Sequence, residues 1–228
     1  KNKTFYFLKN PMKTAKIIEL ADMVFAGNDY LASFASKYND RVKIVPTTID
    51  TETYPSIEKQ DSPSVCIGWS GSFSTIIHFE HVIPALQELK EKYGDRISFK
   101  VIGDGSFRHE ALGIQGLPWR KESEIEDLSE IDIGLMPLPD DEWTKGKCGL
   151  KGLQYMALGI PTIMSAVGVN SEIIQDGKNG FLASSKAEWV DKISRLVDSF
   201  AERKKMGDSG RETVVQKYST EANGKLYL

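Results

Sequence analysis

The segment IDIGLMPLPDDEWTKGKCGLKGLQYMALGIPTIMS, residues 131–165, holds a strand, a helix and a second strand in succession. IDIGLMPL is apolar through its centre and closed by prolines, as a strand buried on both faces would be. A short helix hemmed in by glycines follows, and Gly159-Ile160-Pro161 ends it. PTIMSA then returns the chain as a strand. A strand–helix–strand unit of this kind belongs to a parallel sheet.

The same alternation extends to both sides. SVCIGWS (64–70) reads as a buried strand, GSFST as a turn, and IIHFEHVIPALQELKEKYG (76–94) as one long amphipathic helix. ISFKVIG (97–103) is a strand, GDGS a turn, and residues 117–119 a brief strand before the acidic helix KESEIEDLSE. After residue 165, DGKNGFLA gives a turn and a short strand, and two helices, AEWVDKISRLVDSF and AERKKMGDSGRETVVQKYS, complete the chain. The expected fold class is α/β, a Rossmann-like parallel sheet with helices on both faces. Ahead of it, MKTAKIIELADM reads as a helix and MVFAG as a strand. NDYLASFASKYN is a helix capped by Asn28 or Asp29, and VKIVP a strand stopped by Pro46. Residues 47–63 are polar, contain prolines and lack a period, so they read as a linker.

Composition narrows the function classes. The 228 residues carry a formal net charge of -3, which gives no electrostatic reason to expect nucleic acid as partner. Cys66 and Cys148 lie far apart without metal-ligand spacing, and Cys66 reads as a small core residue. A reducing compartment is the default. No apolar run reaches the length of a bilayer span. His78 and His81 share a helix face without a third ligand and read as surface or packing residues. No metal site is expected. The order of residues around Ser and His gives no nucleophilic hydrolase arrangement.

In a parallel α/β sheet, ligands bind at the carboxyl ends of the strands, and four loops there carry suggestive chemistry. Gly71, Ser72 and Ser74 form a small, hydroxyl-bearing turn suited either to capping a helix or to phosphate oxygens. Gly103-Asp104-Gly105-Ser106 lacks the third glycine of a dinucleotide fingerprint, because residue 108 is Arg, and reads better as a tight turn. Trp119 and Arg120 follow Pro118, where an indole can either pack at a rim or meet a flat base. Lys147, Gly149, Leu150, Lys151 and Gln154 open the short helix. Gly149 leaves the first amides unobstructed, and Lys151 opposes the helix dipole by about 0.3–1 kcal/mol unless an anion is held there. Gln154, one turn on, has the donors and acceptors for a vicinal diol such as ribose. The structural alternative makes Lys151 solvated and Gln154 a satisfied polar residue.

Five stretches, IGWSGSFST (67–75), VIGDGS (101–106), IDIGLMPLPDDEW (131–143), KCGLKGLQYMALGIPTI (147–163) and VGVNSEIIQDGKNGFLA (167–183), together resemble the donor-binding half of retaining GT-B glycosyltransferases of family 4. The resemblance runs over about residues 62 to 217. It implies a donor-binding domain over 64–217 and a linker over 47–63. Residues 1–46 would be the remnant of an acceptor-binding domain, and 218–228 a C-terminal tail. The helix around Arg211–Tyr218 resembles one that crosses back towards the first domain. The implied activity is transfer of a sugar from a nucleotide diphosphate sugar, with retention, to a glycan or lipid-linked acceptor in surface polysaccharide or glycolipid assembly of a bacterial cell. No cofactor and no metal are implied, the nucleotide sugar being a co-substrate. The implied location is the cytoplasm, with room for peripheral association at the inner face of the membrane. Catalysis would be mostly positioning and charge stabilisation, with no nucleophile to name.

The chain departs from the family's commoner pattern at three places. Gln154 stands where a glutamate usually holds the ribose, and Gly146 where a second glutamate meets the donor sugar. Ser72 and its neighbours replace an arginine and a lysine, so Lys145, Lys147 or Lys151 would restore the positive charge. Two rival readings remain: an NAD- or nucleotide-sugar-linked oxidoreductase domain, and a non-catalytic nucleotide-sugar-binding module.

Overall fold

The structure, a computed structural model, describes residues 12–227. Five parallel strands form the main sheet: β3 (Val65–Ser70), β4 (Ile97–Ile102), β7 (Ile133–Met136), β8 (Thr162–Ser165) and β9 (Phe181–Ala183), in the order β4-β3-β7-β8-β9. Two smaller pairs flank it in sequence. The parallel pair β1 (Val24–Ala26) and β2 (Val42–Ile44) precedes it, and the antiparallel pair β5 (Arg108–His109) and β6 (Ile114–Gln115) is inserted after β4.

Helices cover both faces of the sheet, as the alternating side chains demand. On one face Ile67, Trp69, Ile133, Leu135 and Ile163 meet α3 (Ile76–Glu80), α4 (Ile83–Tyr93) and α9 (Lys186–Asp198). On the other, Ile102, Met136 and Met164 meet α5 (Glu124–Ser129), α7 (Leu150–Ala157) and α8 (Asn170–Ile173). Glycines let α7 and the preceding chain approach that second face. A Cβ on Gly134 would crowd the ring of Tyr155, and one on Gly68 would strike Ile131.

Tyr155 joins this packing to the site. Fully buried, it accepts the Ser70 amide at 2.6 Å on its hydroxyl, at the carboxyl end of β3. Burial holds its phenol well above the ordinary range, so it stays neutral. Tyr155→Phe leaves the Ser70 N–H buried and unpaired, and chemical denaturation is expected to show a loss of about 1–3 kcal/mol.

The sequence expectations need four local corrections. The helix expected over 76–94 is two helices, broken at His81-Val82. Residues 117–119 form no strand of their own; Leu117 makes an isolated bridge to Ile102, and the strands of this region are β5 and β6. PDDEWTKGKCG, which reads in sequence as a long loop of mixed charge before α7, contains a helical turn, α6 (Glu142–Lys145), with a capping box between Asp141 and Thr144. Cys66 is half-buried on β3 and not a core residue, although burial still pushes its thiol up to about 11.

Of the expected 1–46 remnant, residues 1–11 lie outside the described residues, as does Leu228 of the expected tail. The described part holds α1 (Met12–Leu20), β1, α2 (Asp29–Ala35) and β2. Its apolar side chains Ile17, Leu20, Met23, Phe25 and Ile44 are exposed. The segment expected as a linker, residues 47–63, is tied to the C-terminal end of the chain. Arg211, on α10 (Phe200–Thr213), donates to the carbonyls of Tyr54, Ala157 and Thr51. Beyond α10 the chain continues as a π-helical turn over Val214–Tyr218, and Ile49 then bridges Ser219 ahead of α11 (Thr220–Asn223). The expected returning helix therefore packs on the segment around Ile49 to Tyr54.

Candidate donor site

The strand order reverses between β3 and β7: β4 lies to one side of β3, and β7, β8 and β9 to the other. The loops at such a switch point diverge and leave a crevice. A cavity of about 390 Å³ opens there, walled by Trp69 to Ser72 from β3, Met136 to Leu138 from β7, and Lys147 to Lys151 at the start of α7.

Gly149 makes the α7 end of the cavity open. It sits at the N-cap with φ 74 and makes no side-chain cap, so the first amides of α7 have no partner from that position. A Cβ would be strained at that φ and would also meet Ile173. Lys151 in the first turn is largely buried, which lowers its pKa, while Glu124 at 3.8 Å pulls the other way. Lys147 lies over the exposed ring of Trp143, 5.5 Å from its centroid, and also lines the cavity. Lys145 is held outside the wall by Asp140 at 3.5 Å and Glu142 at 3.6 Å. Of the three candidate lysines, two therefore face the cavity.

Gly71, Ser72, Lys147, Gly149, Leu150 and Lys151 come together in this wall. Ser74 stays outside it, exposed, with its hydroxyl 2.9 Å from that of Ser72. Arg120 is exposed in the loop before α5 and does not line the cavity. Trp119 and Gln154 do not line the wall; both bond Glu124, the carboxylate that Lys151 approaches. Gln154 is 5% exposed and donates to the Tyr54 hydroxyl at 2.5 Å and to Glu124 at 3.2 Å. Trp119 donates its indole N–H to the same carboxylate at 2.9 Å.

Three residues of this region escaped the sequence reading. His78, expected from sequence as a surface or packing residue, lines the cavity from α3 with its Nδ1 buried and unpaired. Burial, then Lys147 and His81, lower its pKa, against Asp141. Glu124 gathers Tyr54, Trp119, Lys151 and Gln154. Asn28, foreseen only as a cap, does two things. Its Oδ1 accepts the Leu31 amide, while its Nδ2 donates to the carbonyls of Lys145 at 3.2 Å and Lys147 at 3.0 Å. Asn28→Ala is expected to cost about 1–2 kcal/mol in thermal unfolding. It also frees the Lys147 backbone, so ligand affinity should fall more than with Ser36→Ala, a surface control.

Among the described residues no three His, Cys, Asp or Glu side chains cluster as a metal site, and no helix is long and apolar enough to cross a membrane. The GxG turn at Gly103 follows β4. With φ 128, Gly103 presses against the Gly71 carbonyl, so it braces the neighbouring loop.

Comparison with known proteins agrees with this architecture. The family described as glycosyl transferases group 1 matches residues 64–199, and the chain belongs to that family. No curated protein sequence matches the chain. Among solved structures, the chain is similar to a sucrose-phosphate synthase from Thermosynechococcus elongatus, with a TM-score of 0.74 at 18% identity, covering 94% of this chain and 59% of that one. The Anabaena protein HepE in complex with UDP and glucose gives a TM-score of 0.75 at 13% identity, over 96% of this chain and 68% of that one. The C-terminal domain of a glycosyl transferase group 1 family protein from Francisella tularensis gives 0.61 at 24% identity, over 75% of this chain and 98% of that domain. The fold is that of GT-B glycosyltransferases, of which the chain spans only part: 59% of the synthase and 45% of a further solved structure, TarM, to which it is similar with a TM-score of 0.73 at 17% identity.

Proposed function

We propose that this chain is the donor-binding part of a retaining glycosyltransferase that moves a sugar from a nucleotide diphosphate sugar to a glycan or lipid-linked acceptor. The observation that carries the reading is the cavity at the β3/β7 switch point, where the open N-terminus of α7 converges with Lys147, Lys151 and His78. Three cationic or protonatable groups and unobstructed amides suit a diphosphate. In this reading they bind the anion, neutralise the charge that develops on it as the sugar leaves, and need no metal. HepE, a structural relative, is seen with UDP and glucose, which supports a nucleotide sugar as the donor class. The acceptor and its contacts would belong to a further domain, represented here by residues 12–46. The setting would be surface polysaccharide or glycolipid assembly in a bacterial cytoplasm.

The oxidoreductase reading has no support in the Gly103 turn, which packs on Gly71. Isothermal titration of the 228-residue chain with UDP, GDP, ADP and NAD tests the proposal. Saturable binding of one nucleoside diphosphate without binding of NAD is expected, together with no sugar transfer by this chain alone. NAD binding in preference to all three diphosphates would refute it.

A further inference from the structure

Gln154 departs from the glutamate expected at its position, yet its surroundings already hold a carboxylate. Glu124 comes from the first turn of α5, and its side chain is 14% exposed. Four donors from three separate segments converge on it. Tyr54 of the linker donates to Oε2 at 2.8 Å. Trp119 donates to Oε1 at 2.9 Å and Gln154 to the same oxygen at 3.2 Å, with Lys151 Nζ 3.8 Å away. An acidic residue in a helix's first turn is favoured by the dipole alone, but that does not account for these partners.

The amide and the carboxylate explain each other. Gln154 Nε2 lies 3.2 Å from Glu124 Oε1, so a glutamate at 154 would set two carboxylates against each other in a largely buried place. A glutamine donates there instead. That orientation leaves Gln154 Oε1 buried and without a partner. Buried acceptors are nearly always paired, so an unpaired one calls for an explanation. Glu124 Oε2 takes one hydrogen bond from Tyr54, below the capacity of a carboxylate oxygen. Two acceptors are thus left over on neighbouring side chains, which matches the two donors of a vicinal diol. Lys151 links this cluster to the cavity: its Nζ lies 3.8 Å from Glu124 Oε1, and the residue lines the cavity wall.

We propose that Glu124 supplies the carboxylate that holds the donor's ribose diol, with Gln154 as its amide partner, the role having moved from α7 to α5. The inference rests on the nucleotide-sugar reading above. Trp119, whose indole N–H is pinned by Glu124, is then fixed beside the nucleoside.

The test is titration of the whole chain with the nucleoside diphosphate that binds, among UDP, GDP and ADP, and with its 2′-deoxy and 3′-deoxy analogues. The wild type should prefer the ribonucleotide by about tenfold or more, the scale of a charge-assisted hydrogen bond. Glu124→Gln should abolish most of that preference, whereas a merely structural role would weaken all three ligands alike. Gln154→Glu alone should weaken ribonucleotide binding, and the swap Glu124→Gln with Gln154→Glu should restore the preference. A wild-type preference in Glu124→Gln, or tighter binding in Gln154→Glu alone, would overturn the proposal. If Glu124→Gln fails to fold, Gln154→Glu and the swap decide. No binding of any nucleoside diphosphate by the wild type would overturn the donor reading and this inference with it. Binding with an unaltered preference overturns only the latter.

Discussion

Gly103→Ala is expected to lower stability by about 2–5 kcal/mol and to weaken ligand binding at the same time. Two effects add. The residue holds φ 128, a region that side chains with a Cβ rarely enter, and the new methyl would strike the carbonyl of Gly71. Backbone does not yield as a flexible side chain does, so the Gly71-Ser72 loop must shift, and that loop is one wall of the cavity. Gly113→Ala is the internal control. Gly113 also has positive φ, at 65, but a Cβ there would meet nothing within 4 Å. Its cost should stay near about 1–2 kcal/mol, without a change in affinity. Thermal unfolding with and without nucleoside diphosphate measures both terms. Equal losses for the two variants would mean that the collision carries no weight.

Lys151→Ala is expected to weaken nucleoside diphosphate binding by about 10- to 100-fold, the range for losing one charge-assisted hydrogen bond. The same variant should change stability little. Its contact to Glu124 is long, at 3.8 Å, and the lysine's side chain is 27% exposed, which limits what the pair contributes. Glu124 also keeps its three other donors. Separation of the two readouts is therefore the expected signature of a binding residue. Lys145→Ala, whose ammonium is occupied by Asp140 and Glu142, should leave affinity within about twofold. Unchanged affinity in Lys151→Ala would remove the electrostatic basis of the site.

The strands of the main sheet were legible because short apolar runs ended at glycines and prolines, as in the segment from 131 to 165. The first long helix was read too simply. Its apolar period runs through His81-Val82, and the signal that mattered was Pro84, which sits in the first turn of α4. The two-residue strands β5 and β6 were invisible, being too short to show an alternation. Site residues close together in sequence, such as Lys147 to Lys151, could be placed from helix spacing alone. Those joined across the fold could not. Asn28 reaches Lys147 over 119 residues, and Tyr54 reaches Gln154 over 100. Glu124 looked like one acid among several in KESEIEDLSE, and only packing sets it apart. His78 was discounted for want of a metal partner, although its neighbours in space are lysines and an open helix end.

Calorimetric titration shows whether α7 and the β3 loop hold the diphosphate of a nucleotide sugar. The wild-type chain and Lys151→Ala would each be titrated with UDP, GDP and ADP. Saturable, one-to-one binding of one of the three by the wild type is expected, with a loss of about tenfold or more in the variant. Identical affinities in the two proteins, or no binding of any of the three by the wild type, would contradict it.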